Sequence, residues 1–413
     1  MTKIEQKIPE GWSVKKLSEV STFCGGSTPS RDHPEYFNGN IPWVKTTDLN
    51  NSVLYETEEN ITSLGLNNSS CKIIKNGAVC VAMYGGFNQI GRTCLLGIDA
   101  TINQALTAII PNEKLLNSYL LLYLTNNVRA WKSYAGSSRK DPNITKKDIE
   151  SFKIIVPPLP EQEKIAGILG TWDEAIEKLS NLIEQKKLLK KGLMQQLLTG
   201  KTRLKGFTQL WKEVKLGNIG ATYTGLSGKN KDNFGRGSYF IPYMNIYQNN
   251  HINPQQLEQV EVDEGEKQNT VKYGDIFFTT SSETPEEVGF ASVLLFKPEQ
   301  NIYLNSFCFG YRLNDFKSLL PEYASFLFRS IHVRKIMYKL AQGATRFNLS
   351  KNELMKEKIY LPSDISEQQA IANVLSTADD EINLLNQKLE ALKEQKKGLM
   401  QQLLTGQTRV KVN

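Results

Sequence analysis

The chain has few of the residues that metal-dependent and nucleophilic catalysis require. Its 413 residues include only three histidines, and none of these has a metal-binding or triad partner nearby in the sequence. The five cysteines are odd in number and contain no CxxC pair, so they match neither a zinc-site motif nor a complete disulfide framework. We interpret them as reduced thiols of a cytoplasmic protein.

Long apolar runs and nucleotide-binding motifs are also missing. No apolar run approaches the roughly 20 residues that span a bilayer, and the first residues, MTKIEQKIPEGW, lack an apolar signal region, so we expect neither a membrane protein nor a secreted one. Gly200-Lys201-Thr202 resembles the end of a phosphate-binding loop, but Gln195 stands where that loop needs its first glycine. The Asn-Pro-Pro-aromatic motif of amino-methyltransferases is absent. The sequence therefore predicts no catalytic residue and no metal ligand.

What remains is the composition of an ordinary globular protein. The length is sufficient for two or three domains with cores of their own. The formal net charge of +7 is modest. It is compatible with an anionic partner but does not by itself require one.

One segment occurs twice. KKGLMQQLLTG spans 190–200 and recurs at 396–406, and the Thr-Arg pair that follows keeps the same register. Eleven identical residues at a fixed offset of 206 indicate an internal duplication.

Upstream of each copy, apolar residues recur at alternating spacings of four and three. This spacing is typical of the seam of a long helix that packs lengthwise on another helix. We expect two such helical rods to pack on each other; two ordinary core helices of a globular fold are the alternative. The seam residues are Ile165, Leu169, Trp172, Ile176, Leu179 and Ile183 in the first copy and Ile371, Leu375, Ala378, Ile382, Leu385 and Leu389 in the second.

Glycines and a capping pattern mark the rods. Ser366 followed by Gln369 predicts a capping box at the start of the second rod, and Gly200 and Gly406 fit C-terminal caps. A glycine inside each helix, at positions 192 and 398, costs about 1 kcal/mol relative to alanine. We expect close approach of another backbone there, with a break in the rod as the alternative.

The rods alternate with two globular units. Short strand-like runs in the first unit, such as IPWVKTTDL from Ile41, have diverged counterparts in the second, such as IPYMNIYQNN from Ile241. The predicted segments are 1–158, 159–206, 207–362 and 363–413, in the order unit, rod, unit, rod. The fold class is α+β: two pseudo-symmetric α/β domains and two long antiparallel coiled-coil helices. Because the rods agree and the units differ, we expect two copies of one partner on the rods and two halves of one ligand on the units.

These patterns resemble the specificity subunit of type I restriction–modification systems. GGSTPSRDHPEYFNGNIPWVKTTDL is similar to a common opening of that family's target-recognition domains. LPEQEKIAGIL from Leu159 and ISEQQAIANVL from Ile365 are typical of where its helices begin. The second unit departs from this opening, with TGLSGKN at Thr224, so its recognition chemistry does not follow from the first.

The resemblance implies a non-catalytic DNA-specificity role. Each unit would be a target-recognition domain that reads one half of a split sequence in double-stranded DNA. The rods would set the spacer and bind two methyltransferase subunits, and restriction subunits would join the complex. S-adenosylmethionine, ATP and Mg²⁺ are implied for those partners, and no cofactor for this chain. The alternatives are a structural adaptor that does not read DNA and a self-contained DNA-modifying enzyme.

DNA contacts are expected from polar loops at paired positions of both units. Lys and Arg suit phosphates, whereas Arg, Asn, Gln, Ser and Thr suit base edges; a solvated loop residue is the alternative for each. The candidates are Lys45, Thr46, Thr47, Tyr84, Asn88, Arg92, Ser137, Ser138, Arg139 and Lys140 in the first unit, and Asn245, Tyr247, Gln248, Thr280, Ser281, Ser282, Thr345, Arg346 and Asn348 in the second. Glu283, Glu286 and Glu287 are unfavourable near phosphates, although a carboxylate can accept a hydrogen bond from cytosine.

The duplicated segment supplies the candidate partner surface. Its members are Gly192, Leu193, Gln195, Gln196, Gly398, Leu399, Gln401 and Gln402. Lysines late in each rod, Lys186, Lys187, Lys190 and Lys191 with Lys393, Lys396 and Lys397, suit the helix dipole; phosphate contact across the spacer is the alternative.

Overall fold

The computed structural model describes residues 8–86, 88–134 and 143–412, and their contacts group into two compact units. The first unit contains the chain up to Ser180 together with the residues from Gln387 onward, and the second contains Asn181–Asn386. Each unit therefore consists of a globular part and one half of each long helix.

The main sheet of the first unit has five strands. In spatial order they are Ser21–Gly25, Leu106–Pro111, Val79–Ala82, Thr93–Leu96 and Val53–Leu54. All neighbours are antiparallel except the last pair, in which Val53 lies opposite Leu95 in parallel register.

Smaller sheets and short helices complete the globular part of the first unit. A three-stranded sheet has the order Asn60–Ile61, Phe37–Val44 and Thr101–Ile102, and an antiparallel pair joins Ser13–Lys16 to Lys153–Val156. The α-helices are Leu17–Val20, Ser63–Asn67, Asn117–Asn126, Val128–Tyr134 and Lys146–Ser151, and the 3₁₀ turns are Pro34–Tyr36 and Thr46–Asp48.

The second unit repeats this arrangement. Its main sheet has the antiparallel order Gly220–Thr224, Cys308–Leu313, Ile276–Thr279 and Ala291–Val293. His251 makes an isolated parallel bridge to Val293, where the first unit has its fifth strand. A three-stranded sheet follows the order Glu258–Val260, Phe234–Ile241 and Ile302–Leu304, and Trp211–Lys215 pairs with Lys358–Pro362.

The second unit also has a small antiparallel sheet in the order Ser281–Ser282, Phe347–Leu349 and Ala341–Gln342. Its α-helices are Leu216–Ile219, Tyr243–Gln248, Pro321–Leu327, Ile331–Leu340 and Lys351–Leu354. Its 3₁₀ turns are Lys231–Asn233, Pro254–Gln256 and Pro285–Glu287.

The central strand of each main sheet is buried on both faces, which explains its uninterrupted apolar sequence. In the first unit, Val79 and Val81 join the core cluster that contains the long-helix residues, whereas Cys80 and Ala82 join a cluster on the other face. Successive side chains of a strand point to opposite faces. Both faces of the strand Ile276–Thr279 are likewise covered by core residues.

The two long helices span Leu159–Leu197 and Ile365–Leu404, and they run antiparallel within each unit. In the second unit Lys186 pairs with Glu381 and Lys190 with Asp379, so the partner number falls as the chain advances. In the first unit Arg409 pairs with Glu161 and Lys396 with Asp173, which gives the same direction. The predicted seam residues are all buried or half-buried, and the fold class is confirmed.

The predicted C-terminal caps of the two long helices are confirmed, whereas the predicted start of the second long helix is displaced. Gly200 and Gly406 adopt left-handed backbone angles, with φ of +70° and +74°, as C-terminal caps do. The second helix, however, begins one residue before Ser366. Asp364 Oδ1 accepts the Ser366 N–H at 2.9 Å, so an aspartate caps this helix instead of the predicted Ser366–Gln369 box.

A buried glutamine fixes the start of each long helix to its unit. The side chains of Gln162 and Gln368 have no solvent exposure. Each accepts one backbone N–H and donates to two backbone carbonyls, at 2.8–3.0 Å. The partners are Leu116, Lys114 and Pro157 for the first glutamine and Leu320, Ser318 and Pro362 for the second.

The neighbouring glutamate of each pair binds an arginine that follows the duplicated segment. Arg203 donates to Glu367, with Nη2 to Oε2 at 2.7 Å, and Arg409 donates to Glu161. Glu161 also accepts the Trp12 indole N–H at 3.1 Å. The arginine that follows each copy of the segment therefore binds the start of the other long helix, which gives this duplicated arginine a structural role.

Candidate nucleic-acid interface

Three segments that are distant in the sequence meet at one edge of the second unit. Ser281 pairs with Asn348 and Ser282 with Phe347 in the small sheet, and Ser281 Oγ lies 2.5 Å from Asn348 Oδ1. The hydroxyl of Tyr243 donates to the Ser281 carbonyl at 3.0 Å. The structure thus brings together the sequence-predicted candidates of the three loops.

These segments enclose an open cleft of about 350 Å³. Its walls combine aromatic, hydroxyl, acidic and basic groups. The lining residues are Tyr243, Ser281, Ser282, Glu283, Glu287, Phe307 and Arg346. We call this the second-unit cleft.

Glu287 is held in a fixed orientation in the second-unit cleft. Tyr247 Oη donates to its Oε1 at 2.7 Å, and Ser282 Oγ donates to its Oε2 at 3.1 Å. These hydrogen bonds, that of Tyr247 first, lower the pKa of the Glu287 carboxyl below its ordinary value. The group is therefore an anion at neutral pH and acts as an acceptor only.

Two largely buried arginines support the loops behind the second-unit cleft. Arg329 donates to the backbone carbonyls of Ile246, Tyr247 and Asn249 at 2.5–3.0 Å and to that of Ala291 at 2.7 Å. Burial lowers the pKa of its guanidinium to about 10, so it stays charged at neutral pH. One side chain thereby holds the segment that carries Tyr247 against the main sheet.

The second of these arginines holds the acidic turn. Arg334 donates to the backbone carbonyls of Gly289, Glu286 and Val288 at 2.6–2.7 Å, and its guanidinium lies 4.3 Å from the ring centroid of Phe290. Burial lowers the pKa of Arg334 to about 10 as well. The charged guanidinium of Arg334 therefore fixes the turn that carries Glu287.

One predicted DNA contact of the second unit is buried. Asn245 is only 1% exposed. Its side chain donates to the carbonyls of Asn253 and Gln256 and accepts the Asn253 N–H at 3.0 Å. Because the short helix Tyr243–Gln248 turns this residue inward, it shapes the loop and has no free group for DNA.

The remaining candidates of the second unit differ in accessibility. Gln248, Thr345, Arg346 and Asn348 are exposed, and Thr280 is half-buried. Tyr247 is half-buried and its hydroxyl is already used by Glu287. The exposed side chains are available for contact, whereas Tyr247 acts through its neighbour.

In the first unit two of the predicted loops lie side by side. A Cβ built on Gly85 would lie 3.8 Å from Thr46 Oγ1, which brings the segment after the IPW strand next to the Gly85-Gly86 turn. Thr47, Tyr84 and Asn88 are exposed, and Thr46 and Arg92 are half-buried. A polar edge therefore exists here too.

Lys45 is less available than its sequence position suggests. Its ammonium pairs with Glu58 at 2.8 Å and Glu59 at 3.2 Å, and its side chain is 17% exposed. The hydrogen bond to Glu58 raises the pKa of Lys45 above its ordinary value. A phosphate would have to compete with these carboxylates. Four other candidates, Ser137, Ser138, Arg139 and Lys140, lie outside the described residues.

The candidate partner surface is open at its glycines. Both long helices continue through Gly192 and Gly398, and a Cβ added at either would meet no described atom outside its own helix within 4 Å. The sequence predicts that another backbone approaches these glycines closely, but none of the described residues does so. The alternative, a break in the helix, is not found at either glycine. The four glutamines Gln195, Gln196, Gln401 and Gln402 are exposed, whereas Leu193 and Leu399 pack against the cores of their units.

Most of the rod lysines are engaged with carboxylates. Lys186 and Lys190 pair with the other helix, as does Lys396, whereas Lys187, Lys393 and Lys397 pair with glutamates three residues earlier in their own helices. These ion pairs favour a structural role of the lysines in the helices over contact of the lysines with DNA phosphates.

Within the described residues, no group of three or more His, Cys, Asp or Glu side chains could hold a metal ion. No helix in that part of the chain is long and apolar enough to cross a bilayer.

Comparison with known proteins gives the class of the molecule. The model of the type I restriction modification DNA specificity domain matches residues 9–186 and again 209–394. The chain therefore belongs to this family, and it is a specificity subunit, a non-catalytic component of type I restriction–modification systems.

Individual relatives agree with this assignment. The chain is 26% identical over 433 aligned positions to the type I restriction enzyme MjaVIII specificity subunit of Methanocaldococcus jannaschii, covering 98% of this chain and 95% of that protein. It is 32% identical to the EcoR124I/EcoR124II specificity subunit of Escherichia coli, over 38% of this chain and 40% of that protein. The crystal structure of the S subunit from M. genitalium has the same fold, with a TM-score of 0.56, 14% identity and coverage of 97% and 98%.

Proposed function

We propose that this subunit directs methylation of adenine to a split DNA sequence, with one half read by each globular unit. The observation that carries the proposal is the contrast between the two kinds of surface. The helix starts have the same glutamine hydrogen bonds and the same glutamate–arginine pair in both units, whereas the polar edges carry different side chains. Identical supports suit two copies of one partner, and different edges suit two different half-sites.

The polar edges fit double-stranded DNA. Arg346, Gln248 and Asn348 in the second unit are exposed, as are Thr47 and Asn88 in the first. Side chains of these types bind phosphates or the donors and acceptors of the major groove. Together with the remaining exposed candidates, they are the proposed DNA contacts.

The partner surface is proposed at the duplicated segment. Gly192 and Gly398 leave open space beside exposed glutamines in the same register on the two helices. A methyltransferase subunit would pack on each, and restriction subunits would join through that assembly. S-adenosylmethionine, ATP and Mg²⁺ would be bound by those partners, and the complex would act in the cytoplasm.

The test is co-expression of the chain with a candidate methyltransferase subunit in a host that lacks such systems, followed by genome-wide mapping of methylated adenine. The proposal predicts a split motif that disappears when the chain is omitted. An assembled complex that methylates no motif contradicts it. The chain expressed alone is the control, and methylation in that culture would indicate an enzyme instead.

A further inference from the structure

The second-unit cleft places two acidic side chains, Glu283 and Glu287, and one basic side chain, Arg346, in the same opening. Glu287 stands on the turn Pro285–Glu287, and Arg346 stands on the loop that precedes the strand Phe347–Leu349. Arg346 forms no ion pair with a carboxylate among the described residues and is exposed. Neither glutamate therefore neutralises the arginine, and of the two only Glu287 is held by hydrogen bonds from described residues, its neighbours Tyr247 and Ser282.

Half of the acceptor capacity of Glu287 is already used. A carboxylate has about four lone-pair sites, and Tyr247 and Ser282 each donate to one oxygen. The remaining sites can accept only from a donor that enters the cleft. Since the carboxylate offers no hydrogen to donate, it excludes a base edge that presents only acceptors.

The supports of Glu287 make this acceptor rigid before any ligand arrives. Arg334 binds one carbonyl of the turn that carries Glu287 and the two carbonyls that follow that turn, and Arg329 binds three carbonyls of the segment that carries Tyr247. A preorganised group loses less side-chain freedom on binding. A solvated surface glutamate does not need two largely buried guanidinium groups to hold the segments around it.

We propose that the second-unit cleft reads one G·C base pair in the half-site of the second unit, with Glu287 accepting from the cytosine amino group and Arg346 donating to guanine. In the major groove only guanine presents two adjacent acceptors, N7 and O6, to a guanidinium, and its paired cytosine presents the N4 amino donor. The carboxylate of Glu287 and the guanidinium of Arg346 match that pattern. This assignment rests on the proposed function and adds the identity of one base pair.

The aromatic walls of the cleft strengthen this readout. Phe307, which is 62% exposed, and Tyr243 both line the cleft. Apolar surface beside a hydrogen bond excludes water, and an electrostatic interaction is stronger where water is excluded. The matching position of Phe307 in the first unit is Ala105, because both residues donate their N–H to the preceding asparagine, Asn103 or Asn305.

The experiment uses the complex of this chain with its methyltransferase subunit. Once the wild-type motif is known, single-site duplexes carry each of the four base pairs at every position of the two half-sites, and initial methylation rates are compared for wild type, Glu287→Gln and Arg346→Gln. Both variants are expected to reduce discrimination at the same G·C position about tenfold to a hundredfold. All other positions keep their discrimination.

Glu286→Gln is the matched control, since it removes the same charge from an exposed side chain of the same turn. Unchanged discrimination in both test variants overturns the inference, as does a uniform loss of rate at all positions or an effect on an A·T position. Should Glu287→Gln fail to assemble, Arg346→Gln decides alone, because the exposed side chain of Arg346 forms no hydrogen bond or ion pair with the described residues. A wild-type complex without any motif would overturn the proposed function itself, which is a separate result.

Discussion

In the first unit the loop that contains Gly91 packs on the indole of Trp131, whereas in the second unit the loop that contains Gly289 is held by the guanidinium of Arg334. Trp131 and Arg334 are each the fourth residue of equivalent helices, Val128–Tyr134 and Ile331–Leu340. A Cβ on Gly91 would lie 3.0 Å from Trp131, and the matching glycine, Gly289, gives its carbonyl to Arg334 at 2.7 Å. Both glycines have left-handed backbone angles.

This difference shows which parts of the duplicated unit are free to change. The loop conformation persists although its support has changed from apolar packing to charged hydrogen bonds. The glutamine networks at the helix starts have not changed at all. A framework of that kind tolerates new recognition chemistry as long as each new support satisfies the same backbone groups.

The largest expected effect is on the apolar support. Trp131→Ala removes a fully buried indole that stacks on Phe152 at a centroid distance of 4.0 Å, and we expect the free energy of unfolding of the first unit to fall by about 3–5 kcal/mol. The counterpart Arg334→Ala leaves three carbonyls without their donor and is expected to cost about 1–3 kcal/mol. Hydrogen exchange, read separately for peptides of each unit, measures both. The reverse order of the two losses would contradict this account of the supports.

The next effect should be equal in the two units. Gln162→Leu and Gln368→Leu each keep the side-chain volume but leave one backbone N–H and two carbonyls unpaired, which we expect to cost about 2–4 kcal/mol. Denaturant unfolding of each variant, compared with exposed Gln185→Leu as a control, measures the loss. A loss of stability in only one unit would show that the two glutamines do not contribute equally to the free energy of unfolding.

Among the helix-end ion pairs, the second unit should be the more sensitive. Glu367 is fully buried with Arg203 beside it, whereas Glu161 keeps the Trp12 indole when Arg409 is removed. In the second unit the corresponding indole nitrogen of Trp211 has no hydrogen-bond partner among the described residues. Arg203→Ala is expected to cost about 1.5–3 kcal/mol, the range of hydrogen bonds to charged groups, and Arg409→Ala less. Thermal unfolding measures the stability lost in each variant. Equal losses would show that the Trp12 indole does not compensate Glu161 for the loss of Arg409.

The smallest effect on stability concerns the open glycines. Gly192→Ala and Gly398→Ala place a methyl group in open space inside a helix, so each is expected to stabilise the chain by up to about 1 kcal/mol. Bulkier Gly192→Leu and Gly398→Leu should each weaken assembly with the methyltransferase subunit, if the duplicated segment is the partner surface. Co-purification stoichiometry reads this directly, with exposed Gln185→Leu again as the control. Full assembly of both leucine variants would move the partner surface elsewhere.

The repeated framework could be predicted from the sequence because its signals are local. The 4-3 seam, the duplicated segment and the glycine caps each depend on neighbours within one helix. The buried roles of Gln162 and Gln368 could not be read, because a glutamine in the first turn of a helix looks like a solvated residue. Two of the three partners of each glutamine lie 46 to 50 residues away in the chain.

The sequence indicates the segments of the candidate site but not the side chains that hold those segments in place. Paired polar loops identified the segments around Ser281 and Arg346, but Asn245 proved to face inward, since polar residue type alone does not reveal burial. Arg329 binds backbone carbonyls 80 to 83 residues away, which no sequence spacing encodes. A cue for Glu287 was present: an acidic turn beside loops expected to meet DNA is unfavourable unless the carboxylate has an amino group to read.

The most direct test of the central claim is an exchange of the second globular segment. Residues 207–362 are replaced by the corresponding segment of a type I specificity subunit with a different known target, and methylated adenine is mapped in cells that also make the methyltransferase subunit. The account predicts a motif in which one half-site is new and the other half-site and the spacer are unchanged. A chimera that assembles with its partner and changes both half-sites, or neither, would contradict the assignment of one half-site to each unit.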